Sequence, residues 1–158
     1  MKEMKNFISS LIRLSPLRVL DVGSRRANRG PTYRSIIPSN WEYTGLDIVD
    51  GVNVDLVAGE PYRWGIPDNE FDAVISGQTL EHVEFPLSWI TEIHRVVKPN
   101  GRVCIIAPSA GYIHCRPDYR RILPDGMNSL LVAAGFRDIN IKLCDIKPWR
   151  DCVGTATK

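Results

Sequence analysis

Arg18-Val19-Leu20-Asp21-Val22-Gly23 is an apolar run that ends in an acid, a hydrophobe and a glycine. A second acid, Asp47, closes the next strand-like run, Tyr43-Thr44-Gly45-Leu46-Asp47. The interval from Gly23 to Asp47, about 24 residues, suits a nucleoside-binding βαβ unit. In such a unit the first strand delivers a tight turn to the ligand, and the acid ending the second strand accepts hydrogen bonds from ribose hydroxyls. Gly23 allows a turn with positive φ and a close approach of backbone to ligand, while Asp21 is placed to hold the backbone N–H groups of that turn.

Outward from this unit, the elements alternate. Phe7, Ile8, Leu11 and Ile12 give a short amphipathic helix before Pro16, residues 18–22 a buried parallel strand, and 30–37 a short helix ended by Pro38. A second strand covers 42–47, and the alternation of Val52, Val54 and Leu56 predicts a short third. The Pro67-Asp68-Asn69 turn announces a fourth strand at 71–76. Pro86 opens a helix carrying Leu87, Ile90, Ile93 and Val97, with Lys98-Pro99-Asn100-Gly101 as its stop and turn. Val103–Ala107 is continuously apolar, so a strand covered on both faces is expected. After a long loop, Asp125 is placed to cap a helix bearing Met127, Leu130, Leu131 and Ala134 and stopped by Gly135. Ile139, Ile141 and Leu143 alternate as a strand with which residues 152–157 pair. The pattern predicts an α/β fold.

Composition narrows the functional classes. With 158 residues, 44% apolar and 24% charged, the chain has enough material for a core of its own and reads as one globular domain. A net charge of +2 and a pI near 8.4 are too mild for a nucleic-acid binder, and no nucleic acid is expected as a partner. Cys104, Cys115, Cys144 and Cys152 lack CxxC pairing, so reduced thiols are expected and no metal site is. Ser9, Ser10 and Arg13 interrupt the apolar positions of the first 14 residues, which removes the continuous core of a signal peptide or membrane span. A cytoplasmic protein with no membrane partner is the resulting expectation.

Four further segments follow in order: Ile66-Pro67-Asp68-Asn69-Glu70-Phe71-Asp72-Ala73-Val74, Leu80-Glu81-His82-Val83, Arg95-Val96-Val97-Lys98-Pro99-Asn100-Gly101-Arg102 and, before them, Leu46-Asp47. With Val19–Gly23 they resemble the small single-domain class I S-adenosylmethionine-dependent methyltransferases of the type 11 group, which show a PDNSFD-like turn, an LEHV-like segment and a VLKPGG-like helix end in this order. The resemblance implies a Rossmann-like, doubly wound, mostly parallel seven-stranded sheet with an antiparallel last strand. It also implies that residues 1–158 form one S-adenosylmethionine-binding domain, with 1–16 as an N-terminal helix. Cofactor contacts are implied at Asp21, Gly23, Ser24, Arg25, Asp47, Ile48, Gly59, Glu60, Ser76, Gly77 and Gln78. Asp47 would take the ribose and Glu60 the adenine amino group, although Pro61 lacks the N–H that commonly supports an adenine ring nitrogen.

The chain departs from the family where Gly-x-Gly-x-Gly is usual: Arg25 and Ala27 replace two glycines. Arg25 either narrows the approach to the cofactor, points to solvent, or pairs with the methionine carboxylate. The acceptor is expected to meet the loop Pro108–Arg121, which is similar to a His-x-x-Pro-x-Asp-Tyr-x-Arg-like stretch of methyltransferases associated with surface-glycan pathways. His114 is the candidate general base, since histidine exchanges protons near neutral pH. Tyr112, Asp118 and Tyr119 are further acceptor contacts, and Arg116, Arg120 and Arg121 favour an acidic substrate or form a solvated face. Glu81 and His82 read as polar residues that structure a loop. No Asn-Pro-Pro-Tyr-like segment follows the fourth strand, so methylation of nucleobases is disfavoured. The expected activity is O-directed methyl transfer to a small-molecule or glycan-type acceptor. An inactive cofactor-binding module is the alternative, and a nicotinamide dehydrogenase is disfavoured because Gly-x-Gly-x-x-Gly is absent.

Overall fold

The computed structural model describes residues 1–27 and 29–158. Seven strands form one sheet: β1 (Arg18–Val22), β2 (Glu42–Asp47), β3 (Leu56–Val57), β4 (Phe71–Gly77), β5 (Val97–Pro108), β6 (Arg137–Leu143) and β7 (Asp151–Thr157). Their order is β3-β2-β1-β4-β5-β7-β6, and only β7 runs antiparallel to its neighbours. This is the expected doubly wound sheet with its antiparallel last strand. The order reverses between β1 and β4, the place where open α/β sheets leave a crevice at their carboxyl edge.

The period of two along each strand divides the core between two faces. Leu20, Val74, Val103 and Ile105 point to the face covered by α2 (Pro86–Val96) and α3 (Pro124–Ala133), where Trp64, Ile90, Ile93, Met127 and Leu131 pack. Val19, Ala73, Ile75, Cys104 and Ile106 point to the other face, against Met4, Ile8 and Leu11 of α1 (Lys2–Leu11). Burial on both sides explains the unbroken apolar run of β5. No helix among the described residues is long and apolar enough to cross a membrane. The four cysteines are free thiols.

Four expectations are corrected. The helix foreseen over 30–37 shrinks to one 3₁₀ turn, Tyr33–Ile36. Pro31 and Pro38 bracket too short a segment for a nucleus that costs several fixed residues per hydrogen bond, and Thr32, Ile36 and Ile37 are stiff at χ1. The third strand begins only at Leu56, because Asn53 adopts φ 78 and turns the chain out of the extended region. Lys98–Gly101 lies within β5 rather than between helix and strand. Phe71 already pairs with Val97, and the register resumes only at Ala73 and Arg102, so these four residues bulge out around Asn100 at φ 64. Finally, Asp125 sits in the first turn of α3 with Leu123 at the cap position.

Beside the carboxyl edge, the 51–55 segment crosses β2 at Gly45, which is fully paired to it: Asp55 N–H donates to the Gly45 carbonyl (2.8 Å), and Gly45 N–H donates to the Asp55 carboxylate (2.7 Å). A Cβ on Gly45 would lie 2.1 Å from the Asn53 carbonyl oxygen and 2.7 Å from Ser24 Oγ. Gly45→Ala should therefore destabilise the chain by at least about 1–3 kcal/mol, the usual cost of overpacking. Urea denaturation of the variant checks this; an unchanged midpoint would show that the segment does not need the close approach.

Candidate functional site

Beyond Val22 the chain turns at Gly23, whose φ of +77 is open to glycine at no steric cost. The Leu46 carbonyl accepts both Gly23 N–H (2.8 Å) and Ser24 N–H (3.0 Å), which ties the exit of β1 to the end of β2. Arg25 N–H then donates to Asp47 Oδ2 (3.1 Å), while Val49 N–H donates to Asp47 Oδ1 (3.1 Å). Each oxygen of this half-buried carboxylate has one backbone partner and retains accepting capacity. Arg26 N–H continues to the Val52 carbonyl (3.0 Å), so the segment after the turn runs along the 51–55 loop and enters no helix. The Arg25 stem lies against Gly51, 3.0 Å from where its Cβ would be, which directs the side chain away from the Gly23 turn. Arg25, Arg26 and Arg29 are exposed and take part in none of the ion pairs among the described residues.

Asn53 organises this corner. Its side-chain N–H₂ donates to the Ser24 carbonyl (2.8 Å) and the Tyr43 hydroxyl (2.9 Å). Its Oδ1 accepts from Thr32 (3.2 Å) and Arg34 (2.9 Å), and its carbonyl accepts from Ser24 Oγ (3.0 Å). Tyr43 in turn donates to Asp21 Oδ2 at 2.5 Å. Asp21 is thus buried beneath the turn, 2% exposed, and partners a tyrosine; the turn amides belong to Leu46 instead. This corrects the role expected for Asp21. Burial pushes its carboxyl up to about 7, against the opposing pull of the Tyr43 hydrogen bond and Arg34.

The remaining residues implied as cofactor contacts divide by exposure. Ile48, Gly59 and Glu60 are exposed at the ends of β2 and β3, where Ala58 N–H donates to the Asp47 carbonyl and Glu60 forms an isolated antiparallel bridge with Arg63. Ser76 is buried and donates to the Val22 carbonyl (2.7 Å), so its hydroxyl fastens β4 to β1. Gly77 lies under the Tyr33 hydroxyl, which stands 2.0 Å from where a Cβ would be. Gln78 takes φ 58 and donates from its side chain to Asp151 (3.0 Å). Sequence reasoning did not single out Asn53, Tyr33 or Thr79, because nothing in their local pattern marks them.

Along the same edge, the loop after β5 folds onto the short turn Leu80–His82. Tyr119 N–H donates to the Glu81 carbonyl (2.8 Å), and the Arg120 guanidinium reaches the carbonyls of Val83 and Glu84. Arg121 pairs with Asp118 (2.5 Å) and holds its carboxyl well below the usual carboxylate range. Arg120 and Arg121 are therefore internal fasteners of the loop rather than a face for substrate. Arg116 remains exposed and, with Ile113, Pro117, Asp118 and Tyr119, lines a cavity of about 560 Å³. A second cavity, about 570 Å³, lies beside Arg26, Thr32, Arg34 and Val52–Asp55.

His114 Nδ1 sits 3.2 Å from Asp118 Oδ2, and its ring lies tilted against Trp149 and edge-on to His82, with centroids 4.9 and 5.0 Å away. The His114 side chain is 28% exposed. Glu81, by contrast, is fully buried, and burial pushes its carboxyl well above the ordinary range. The fold thus unites Glu81, His82 and His114, although Glu81 and His82 read as loop formers in the sequence.

A family model described as a methyltransferase domain matches residues 20–105, more than half of the chain. The protein belongs to that family, the class I S-adenosylmethionine-dependent methyltransferases. Among curated relatives, the demethylmenaquinone methyltransferase of Staphylococcus epidermidis is 29% identical over 117 residues, covering 66% of this chain and 48% of the relative. The chain spans about half the length, or less, of the curated relatives it matches. The Burkholderia thailandensis 1,6-didemethyltoxoflavin-N1-methyltransferase, solved with S-adenosylhomocysteine, superposes with a TM-score of 0.78 over 99% of this chain and 77% of its own at 19% identity. The cyclase SpnF superposes with a TM-score of 0.72 over 99% of this chain and 80% of its own, also at 19% identity. These likenesses define the fold.

The raised carboxyl of Asp21 has a signed consequence. Between its unfolded value of 3.8 and about 7 the folded chain binds the extra proton, so this contribution to stability is full at low pH and is lost as pH rises through that window. Asp21→Asn keeps an acceptor for Tyr43 and removes the titration. Inside the window, its stability relative to the parent should rise by about 1.4 kcal/mol for each step of one in pH. Denaturant curves taken on either side of the window and within it test this, and parallel pH profiles for the two proteins would contradict it.

Proposed function

We propose that this chain binds S-adenosylmethionine along the carboxyl edge of β1, β2 and β4 and transfers its methyl group to an oxygen of a small-molecule or glycan-type acceptor. The observation that carries the reading is the Asp47 carboxylate, held by the amides of Arg25 and Val49 beside the Gly23 turn at the reversal of strand order. Its free lone pairs suit the two ribose hydroxyls. Ile48, 60% exposed, offers the apolar surface an adenine ring needs, and Glu60, exposed beyond the end of β3, would be the acceptor for the amino group. Gly23, Ser24, Arg25, Gly77 and Gln78 supply backbone toward the methionine end, with Gly59 on the adenine side. Asp21 and Ser76 support the turn from beneath.

Methyl transfer from a sulfonium is an in-line displacement, so alignment contributes most of the rate, and an alcohol acceptor must also lose a proton. His114 is suited to take it. Its Nδ1 lies 3.2 Å from the Asp118 carboxylate, which leaves Nε2 as the basic nitrogen, on the same loop that lines the 560 Å³ cavity. Tyr112 and Tyr119, both exposed there, line the approach of the acceptor.

An inactive, cofactor-binding module is the second reading. It is favoured by Tyr33, which covers Gly77, and by the Arg25 and Ala27 replacements; the fold's occurrence in a cyclase also shows that it is not confined to methyl transfer. Calorimetric titration with S-adenosylhomocysteine and NAD, followed by an acceptor screen with S-adenosylmethionine, separates these classes. Asp47→Ala should raise the dissociation constant for S-adenosylhomocysteine roughly tenfold or more, the loss of a charge-assisted hydrogen bond of about 1.5–3 kcal/mol. Unchanged affinity in the folded variant removes Asp47 from the site. With an acceptor in hand, His114→Ala should lower turnover by about a hundredfold while leaving cofactor affinity intact. Turnover near that of the parent would exclude His114 from acceptor activation.

A further inference from the structure

Glu81 is 0% exposed, and neither of its carboxylate oxygens has a hydrogen-bond partner. A buried carboxylate without partners is costly unless a cation compensates it. Two imidazole nitrogens face it: His82 Nε2 at 3.7 Å and His114 Nε2 at 4.0 Å from Oε1. The second nitrogen of each ring fixes which one carries the proton. His82 Nδ1 is 2.5 Å from the Pro117 carbonyl, which only accepts, so that nitrogen bears the hydrogen. His114 Nδ1 is 3.2 Å from Asp118 Oδ2, a carboxylate kept charged by Arg121, and a proton on that nitrogen is the one this charge favours. Both Nε2 atoms consequently present lone pairs toward the carboxylate. The three donor atoms all lie within 4.8 Å of one another.

At 3.7 and 4.0 Å neither contact is a hydrogen bond as the side chains stand. A metal ion fits this convergence better. Bonds of about 2.0–2.1 Å in a tetrahedral site place ligand atoms about 3.4 Å apart, so His82 and His114 would each move roughly half an ångström toward Oε1 and toward each other within the 4.8 Å cluster. The surroundings match as well: ligating histidines commonly engage a carbonyl or carboxylate through their other nitrogen, and His82 Nδ1 bonds the Pro117 carbonyl while His114 Nδ1 lies 3.2 Å from Asp118. We infer that Glu81, His82 and His114 bind one divalent transition-metal cation. Two imidazoles with one carboxylate select a borderline ion of the Zn²⁺ or Fe²⁺ type over Mg²⁺ or Ca²⁺, which prefer all-oxygen sites.

Three protein ligands leave a position for water or for an oxygen of the acceptor. The cation claims the same lone pair that the base role of His114 uses. In the metal-bound protein, then, the fourth position and not His114 meets the acceptor's oxygen. The site departs from the expectation that no metal is bound; its ligands stand in two segments whose spacing matches no common metal motif, and only the fold of the loop after β5 brings them together.

The test uses the whole chain without an affinity tag, stripped by chelator and titrated with Zn²⁺ alone against a chromophoric competitor, with elemental analysis after gel filtration. About one zinc per chain is expected. Glu81→Gln and His114→Ala should each weaken binding by about a hundredfold or more, and Co²⁺ should give a visible spectrum without thiolate charge-transfer bands. Cys115→Ser, which changes the exposed thiol beside His114, should leave affinity as it is. Zinc at a small fraction of one per chain overturns the inference, as does parental affinity in both ligand variants or loss of binding in Cys115→Ser. Circular dichroism confirms folding, and the partly exposed His114 gives a variant that removes one ligand without opening the core. Because no cofactor is present, failure here leaves the proposed cofactor site standing, and failure of the cofactor titration leaves the metal site standing.

Discussion

One carbonyl, that of Leu46, accepts the two amides of the Gly23 turn and so fixes how the chain leaves the first strand at the carboxyl edge of the sheet. Gly23 must be left-handed for both amides to point at one acceptor, and the space a side chain would need is already filled. A Cβ there would lie 2.1 Å from Thr79 Oγ1. The exits of β1, β2 and β4 are thereby locked together by one bifurcated contact and one missing side chain. Ser76, donating to the Val22 carbonyl, closes the same joint from within the sheet. What looks like a glycine for flexibility is here a glycine for close packing.

This joint is held by hydrogen bonds in a stretch where the described residues after β1 form no α-helix. Where a helix would carry the segment after β1, the backbone of Ser24 and Arg26 is instead satisfied by the Leu46, Asn53 and Val52 groups. Asn53 holds five of these connections, and Tyr43 relays the network to the buried Asp21. Every polar group in such a network needs its partner, since an orphaned one costs about 1–3 kcal/mol. The corner is consequently specified by hydrogen bonds rather than by apolar burial, and it places the Asp47 carboxylate without a helix. Glu81 breaks that pattern at the other end of the edge: it is buried yet without partners, and it is there that a cation has been inferred.

Most of the sheet was legible from periodicity and punctuation. Val19–Val22, Ile75 and Val103–Ile106 are apolar runs too dense for a one-sided sheet, and Pro86 with Gly135 marked a helix start and a helix stop correctly. The errors have a common source in tertiary override of local pattern. The alternation of Val52 and Val54 mimics a strand, but the contacts of Asn53 bend the chain there. Asp21 stood out in the sequence from its place before Gly23, whereas its partner, Tyr43, is set by parallel pairing across two strands. The convergence of Glu81, His82 and His114 was illegible for a stronger reason. It depends on Tyr119, Arg120 and Arg121 clamping one loop onto another, and no residue spacing encodes that.

The carboxyl edge built around Leu46 and Asp47 is the proposed cofactor site. Amide chemical shifts recorded during titration of the labelled chain with S-adenosylhomocysteine test it residue by residue. Saturable changes are expected, concentrated at Gly23–Arg25, Asp47–Val49, Gly59–Glu60 and Gly77–Thr79. Absence of any change at saturating ligand, or changes confined to the cavity around Ile113 and Arg116, would contradict it.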